Sequence, residues 1–156
     1  MRACRLPLHL VAAAALALPL TACGGGPSGG GPGATALTAG PWQAASVRWD
    51  GADRPVIEGT VLTLRFDAGG QASGSGGCNT FGGPYALDGG QLRIGPLAAT
   101  LRACAGPAGA NEQEAGYFAA LGSVRGLRLA GGLLTLLDAR GRTAVTLRRG
   151  RLAPIG

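Results

Sequence analysis

Gly74-Ser75-Gly76-Gly77-Cys78-Asn79-Thr80-Phe81-Gly82-Gly83-Pro84-Tyr85 reads as a strand that runs into a tight turn and out again. Glycines cluster where backbones approach closely or take positive φ. Asn79 is suited to a left-handed position or to a turn closed by its own side chain. Pro84 and Tyr85 begin a new extended run, and a second cysteine follows in Thr100-Leu101-Arg102-Ala103-Cys104.

Working outward, the same punctuation recurs. Leu62, Leu64 and Phe66 alternate with Thr63 and Arg65, the period of a half-buried strand. Pro41 to Val47 reads as a first strand with Trp42 inward, and Asp50 to Pro55 as a turn. Ala68-Gly69-Gly70 is another turn, and Asp88-Gly89-Gly90 marks a hairpin between Tyr85–Leu87 and Gln91–Ile94. Asn111 with Glu114 three residues on has the form of a capping box for a short helix. Phe118 and Leu121 are on its expected core face, and Gly122 is at its end. Leu127–Leu129, Leu133–Leu137 and Thr143–Leu147 follow as strands. The pattern predicts a mainly β domain over residues 41–149, with a tail at 150–156. It comprises about seven or eight short antiparallel strands in a closed or nearly closed, barrel-like sheet, with one short helix before the last three.

The Gly-x-x-Gly-Cys-Asn-x-aromatic-x-Gly-x-Tyr run followed by Thr-x-x-Ala-Cys resembles the META/HslJ domain of bacterial envelope lipoproteins. Trp42, the Leu62-Leu64-Phe66 strand, Glu114 with Tyr117, Phe118 and Leu121, and Leu134-Thr135-Leu136-Leu137-Asp138 extend the resemblance over residues 41–149. Val145 and Leu147 depart from it, standing where the family has an aromatic residue. The resemblance implies a small barrel-like fold and a role in envelope stress or antibiotic tolerance through an unknown partner.

The start of the chain supports an exported protein. Arg2 and Arg5 precede an apolar run from Leu6 to Leu20, shorter than the roughly 20 residues a membrane span needs. The run ends in Leu20-Thr21-Ala22-Cys23, which looks like a bacterial lipobox. Residues 1–22 are therefore expected to be a lipoprotein signal peptide, with Cys23 carrying the acyl chains that hold the protein to a membrane. The plainer alternative is ordinary cleavage nearby with Cys23 left as a thiol. Residues 23–40, rich in Gly, Pro, Ala, Ser and Thr, are expected to form a flexible tether. Gly24 rather than Asp after the cysteine resembles an outer-membrane lipoprotein facing the periplasm, if the cell is Gram-negative.

Of the four cysteines, Cys4 leaves with the signal and Cys23 takes lipid, so Cys78 and Cys104 are expected to pair in an oxidising compartment. On the chain-entropy model such a bridge stabilises by about 3.5 kcal/mol. A metal-binding or redox-active pair is the alternative, but the thiols are 26 positions apart, with neither a neighbouring histidine nor a Cys-x-x-Cys spacing.

The only histidine, His9, is in the signal, and all 14 basic residues are Arg. The mature chain therefore cannot build a Ser-His-Asp or Cys-His pair, a His-ligated zinc site or a lysine Schiff base. Its acids, Asp50, Asp53, Glu58, Asp67, Asp88, Glu112, Glu114 and Asp138, fall mostly at expected turns or a helix start, where carboxylates cap and solubilise. No catalytic residue, metal or cofactor is expected. The scattered charge, with only Arg148, Arg149 and Arg151 clustered, argues against nucleic acid; those three either touch anionic lipid or form a solvated final strand. Asn79, Thr80 and Tyr85 are the candidate recognition cluster, to be weighed against turn closure by Asn79 and simple packing of Tyr85. The leading expectation is a non-enzymatic, lipid-anchored protein, a monomeric domain that presents its barrel to another envelope protein. A carrier of a small apolar ligand, and a protease inhibitor using residues 105–110, are its rivals.

Overall fold

In the computed structural model, residues 32–102 and 104–150 are described. The expected signal peptide, Cys23, residues 24–31 and Arg151 with the rest of the tail lie outside them. The chain forms α1 (Pro32–Thr38), β1 (Trp42–Trp49), β2 (Ala52–Pro55), β3 (Thr63–Phe66), β4 (Gln71–Ser75), β5 (Thr80–Asp88), β6 (Gln91–Ile94), β7 (Ala98–Ala99), α2 (Ala110–Gly122), β8 (Val124–Ala130), β9 (Leu133–Asp138) and β10 (Thr143–Arg149).

All strand pairs are antiparallel, in the order β6-β5-β4-β3-β1-β10-β9-β8, with β2 beside β1 and β7 beside β5. The two ends of this path meet where Leu127 N donates to Gly90 O at 3.4 Å, so the barrel is nearly closed. Period-two alternation fills it: Trp42, Leu64, Phe66, Leu134, Leu136 and Leu147 are fully buried, while their neighbours Gln43, Arg65, Leu133 and Arg148 are exposed. The Asp88-Gly89-Gly90 signal is realised as a hairpin with φ 53° and 88° at the two glycines, the mirror-image turn that matches strand twist.

Three local expectations are corrected. Residues 32–38, assigned to the tether, form α1 and dock on the barrel. Pro32 takes the first helical position, where its missing N–H costs nothing, and Leu37 at the other end is fully buried. Trp42 Nε1 donates to the Leu37 carbonyl at 2.9 Å, and the Arg149 guanidinium lies 5.0 Å over the Trp42 ring while donating to Ala36 O at 3.0 Å. Second, residues 50–55 are not all turn: Asp50 and Gly51, at φ 50° and 75°, make a tight reversal, and β2 pairs back on β1. Third, α2 starts one residue before Asn111, at Ala110, with Gly109 as its N-cap and no side-chain cap. Tyr117 joins Leu121 on the buried face, and Phe118 is only half-buried.

Because Leu37 is enclosed, Leu37→Ala is expected to cost about 2–4 kcal/mol. Urea unfolding checks this; an unchanged midpoint would mean that α1 contributes nothing to the domain.

Candidate functional site

The Gly-rich stretch ends at a corner where β4, β5 and α2 meet. Gly74 fits between β3 and β5 because any Cβ there would overlap the Thr63 carbonyl. Gly76 faces α2, and a Cβ would sit 2.6 Å from Glu114 Oε1 and 2.7 Å from Phe118 Cζ. The absence of side chains here lets the helix carboxylate reach the strand backbone. Glu114, 7% exposed, accepts from Asn79 N at 2.7 Å and Cys78 N at 3.2 Å through Oε1, and from Asn79 Nδ2 at 2.7 Å through Oε2.

Asn79 carries the network onward. Its Oδ1 accepts from Arg102 N at 2.7 Å and Thr100 Oγ1 at 2.9 Å. Thr100 N donates to Thr80 O at 3.0 Å, which continues the short β5–β7 pairing. The Cys78–Cys104 disulfide, with Cα atoms 5.6 Å apart, closes the same corner. One helix carboxylate, the Asn79 amide in the bend before β5 and one disulfide thus fasten the segment after β7 to the barrel. Gln113, next to Glu114 and fully buried, does similar work on the other side: Oε1 accepts from Ile57 N at 2.6 Å, and Nε2 donates to Thr60 Oγ1 at 2.8 Å.

The expected recognition residues do not form one cluster. Asn79 is buried and turned inward, and Thr80, next along the alternation, is exposed on the opposite face. Tyr85 lies five residues beyond Thr80 along β5, on the order of 15–20 Å along an extended strand. Its ring packs edge-on to Phe66 at 4.9 Å, and its hydroxyl donates to Asp67 O at 2.6 Å. Burial, and secondarily the Asp67 charge, hold that hydroxyl's pKa above the ordinary tyrosine value. Sequence reasoning took Glu114 for half of a capping box and missed Gln113; two consecutive buried polar residues among Ala and Gly carry no periodic signal.

The barrel interior is occupied by Trp42, Phe66, Tyr117 and the aliphatic rows, with Phe81 packed edge-on to Tyr117 and Phe118 at 6.0 and 5.3 Å. An open surface groove of about 590 Å3 lies between the β1 turn and α2, bordered by Arg48, Trp49, Glu112, Gly116, Asp138 and Arg142. Two of its cations are already paired, Arg48 with Asp53 at 3.0 Å and Arg142 with Asp138 at 2.8 Å. Of residues 105–110, the segment considered for protease inhibition, 105–109 are exposed and Ala110 is buried at the start of α2.

Asp138 closes the β9–β10 turn by accepting from the backbone N–H groups of Arg140 and Arg142 at 2.8 and 2.9 Å and from Arg142 Nε at 2.9 Å. Desolvation pushes its pKa up, but the Arg142 and Arg140 hydrogen bonds and the Arg142 charge outweigh it, and the net shift is downward from 3.8. A depressed folded-state pKa contributes stability that is present above the unfolded value and lost as pH falls through the folded one. The turn is therefore expected to loosen only below about pH 3.8. A carboxyl NMR titration of Asp138 checks this, and a midpoint at or above that value would contradict the hydrogen-bond reading.

A family model of the META domain matches residues 35–151, which takes in the second half of α1. Among solved structures, an NMR structure of a protein from Burkholderia xenovorans is similar at 27% identity and TM-score 0.59, covering 93% of this chain and 99% of that one. A second NMR structure matches at 27% identity and TM-score 0.56, over 72% of this chain and 91% of its own. A crystal structure of a DUF4847 family protein from Bacteroides vulgatus, at 16% identity and TM-score 0.52 over 75% of this chain and 96% of that one, shares the fold. Nothing among curated proteins matches.

Proposed function

The chain belongs to the META domain family, and we propose that it is a non-enzymatic envelope lipoprotein that presents its disulfide-stapled barrel to another envelope protein. One observation carries the reading: the polar groups gathered at this buried corner are bonded within the fold. Glu114 and Asn79 are each bonded to several backbone and side-chain partners, and among the described residues no buried side-chain polar atom lacks a hydrogen bond. What the domain offers a partner is then its outer surface. The filled interior weighs against the carrier reading, because an apolar ligand would have to displace core side chains.

The lipobox at Leu20–Cys23 supports the anchor, and a staple between Cys78 and Cys104 suits an oxidising compartment. Among the described residues no helix is long and apolar enough to cross a membrane. Attachment would rest on acyl chains at Cys23, and the site of action would be the outer membrane facing the periplasm in a Gram-negative cell. A role in envelope stress or antibiotic tolerance would follow from whichever partner is engaged.

Cell fractionation tests the anchor. The full chain is expected in the membrane fraction and Cys23→Ala in the soluble one. A photo-crosslinker placed at exposed Val61 is expected to capture a discrete envelope protein only while the chain is anchored. Turnover of a substrate by the purified domain, lost on replacing one carboxylate, would contradict the reading.

A further inference from the structure

We propose that reduction of the Cys78–Cys104 disulfide converts the corner into a three-ligand site for a thiophilic divalent cation such as zinc, held by the two thiolates and the Glu114 carboxylate. Each residue offers one ligand atom, and these atoms lie within 4.8 Å of one another. A tetrahedral zinc centre with bonds of about 2.0–2.3 Å separates its ligands by about 3.3–3.8 Å, so the three atoms need to shift by only about 1 Å or so. The sequence hid this site, because the third ligand comes from a helix 36 positions after Cys78.

Two further features favour it. First, Glu114 is a buried carboxylate with no cation beside it: the ion pairs among the described residues are Arg48–Asp53 and Arg142–Asp138. Its charge is balanced by three N–H donors alone. Two carboxylate oxygens have about four acceptor directions, so one remains open on Oε2. A cation arriving there meets an anion that the fold has already desolvated and oriented. Second, the backbone is held independently of the S–S bond at Cys78 and, on the other side, at Arg102. Cys78 N is fixed by Glu114, and Arg102 N, two residues before Cys104, by Asn79. The thiols therefore remain facing each other when the bond opens.

The chemistry balances simply. A dithiol reductant gives two electrons and two protons to the disulfide, becomes a disulfide itself, and leaves two protein thiols. The cation then displaces the two thiol protons to solvent and takes the carboxylate as third ligand, with water in the fourth position. The inference stands whether or not the barrel is presented to a partner.

Cadmium reports thiolate ligation by an ultraviolet charge-transfer band. The oxidised protein and a sample reduced with a trialkylphosphine, which leaves no competing thiol, are titrated with cadmium and then with zinc, with circular dichroism following the fold. The reduced protein is expected to stay folded and to bind one cadmium with the band of two thiolates, which zinc displaces; the oxidised protein shows no band. Glu114→Gln weakens binding by about tenfold or more. Cys104→Ser leaves the Asn79–Glu114 network whole, so it serves if Glu114→Gln folds poorly; it halves the band and weakens affinity at least as much. A folded, reduced protein with no band, a Glu114→Gln variant that binds as tightly as the parent, or loss of the fold on reduction would each overturn the proposal.

Discussion

Glu114→Gln is expected to lower stability by about 2–3 kcal/mol, roughly 8–12 °C in Tm, although it changes one atom and no volume. The carboxylate accepts from three donors, two on the Cys78-Asn79 backbone and one on the Asn79 amide. A glutamine can keep its oxygen toward the backbone pair, but its NH2 then faces the Asn79 NH2, donor against donor. Turning Asn79 over to relieve this removes Oδ1 from Arg102 N and Thr100 Oγ1. Every orientation leaves a buried donor unpaired, at about 1–3 kcal/mol each, and a charge-assisted bond is lost besides. Denaturant unfolding with an unchanged slope reads the effect. A double-mutant cycle with Asn79→Ala is expected to show strong coupling, because the two side chains form one network. A neutral substitution, or additive effects, would mean that the corner holds through the disulfide alone.

Replacing both Cys78 and Cys104 by serine is expected to cost about 3.5 kcal/mol, or about 10–15 °C in Tm, while the native fold persists. The magnitude follows from releasing a loop between positions 26 apart in the unfolded chain. Persistence follows from what remains: Asn79, Glu114, Thr100 and the backbone pairing of Thr100 with Thr80 still fasten the same segment. Against typical domain stabilities of about 5–15 kcal/mol the loss is large but survivable. Amide spectra of the variant are expected to differ from the parent mainly around the corner. Global unfolding at room temperature would show that the hydrogen-bonded clamp depends on the staple.

How much of this was legible beforehand varies with the range of the interaction. Strands with clean alternation, such as Leu62-Leu64-Phe66, and the Gly89-Gly90 hairpin declare themselves within a few residues. The Gly-rich run was legible as a place of close approach, and Gly74 and Gly76 are such places, but what approaches could not be read. Glu114 meets Asn79 across 35 positions, and at close range its spacing from Asn111 imitated a cap. Helix α1 was hidden by composition: among glycines and prolines a single leucine looks like noise, yet Leu37 is buried through its fit beside Trp42. Asn79, Thr80 and Tyr85 are near in sequence, but strand alternation and strand length separate them in space.

Native mass spectrometry of the protein released gently from its own membrane tests most directly the proposal that a lipid-anchored, stapled barrel acts by being presented to a partner. The expected spectrum is the chain from Cys23 onward with acyl chains, less two hydrogens for Cys78–Cys104, carrying a protein-sized non-covalent adduct. A bare, reduced chain without lipid would contradict the anchor and the compartment together, and an adduct of only a few hundred daltons would contradict presentation in favour of small-ligand carriage.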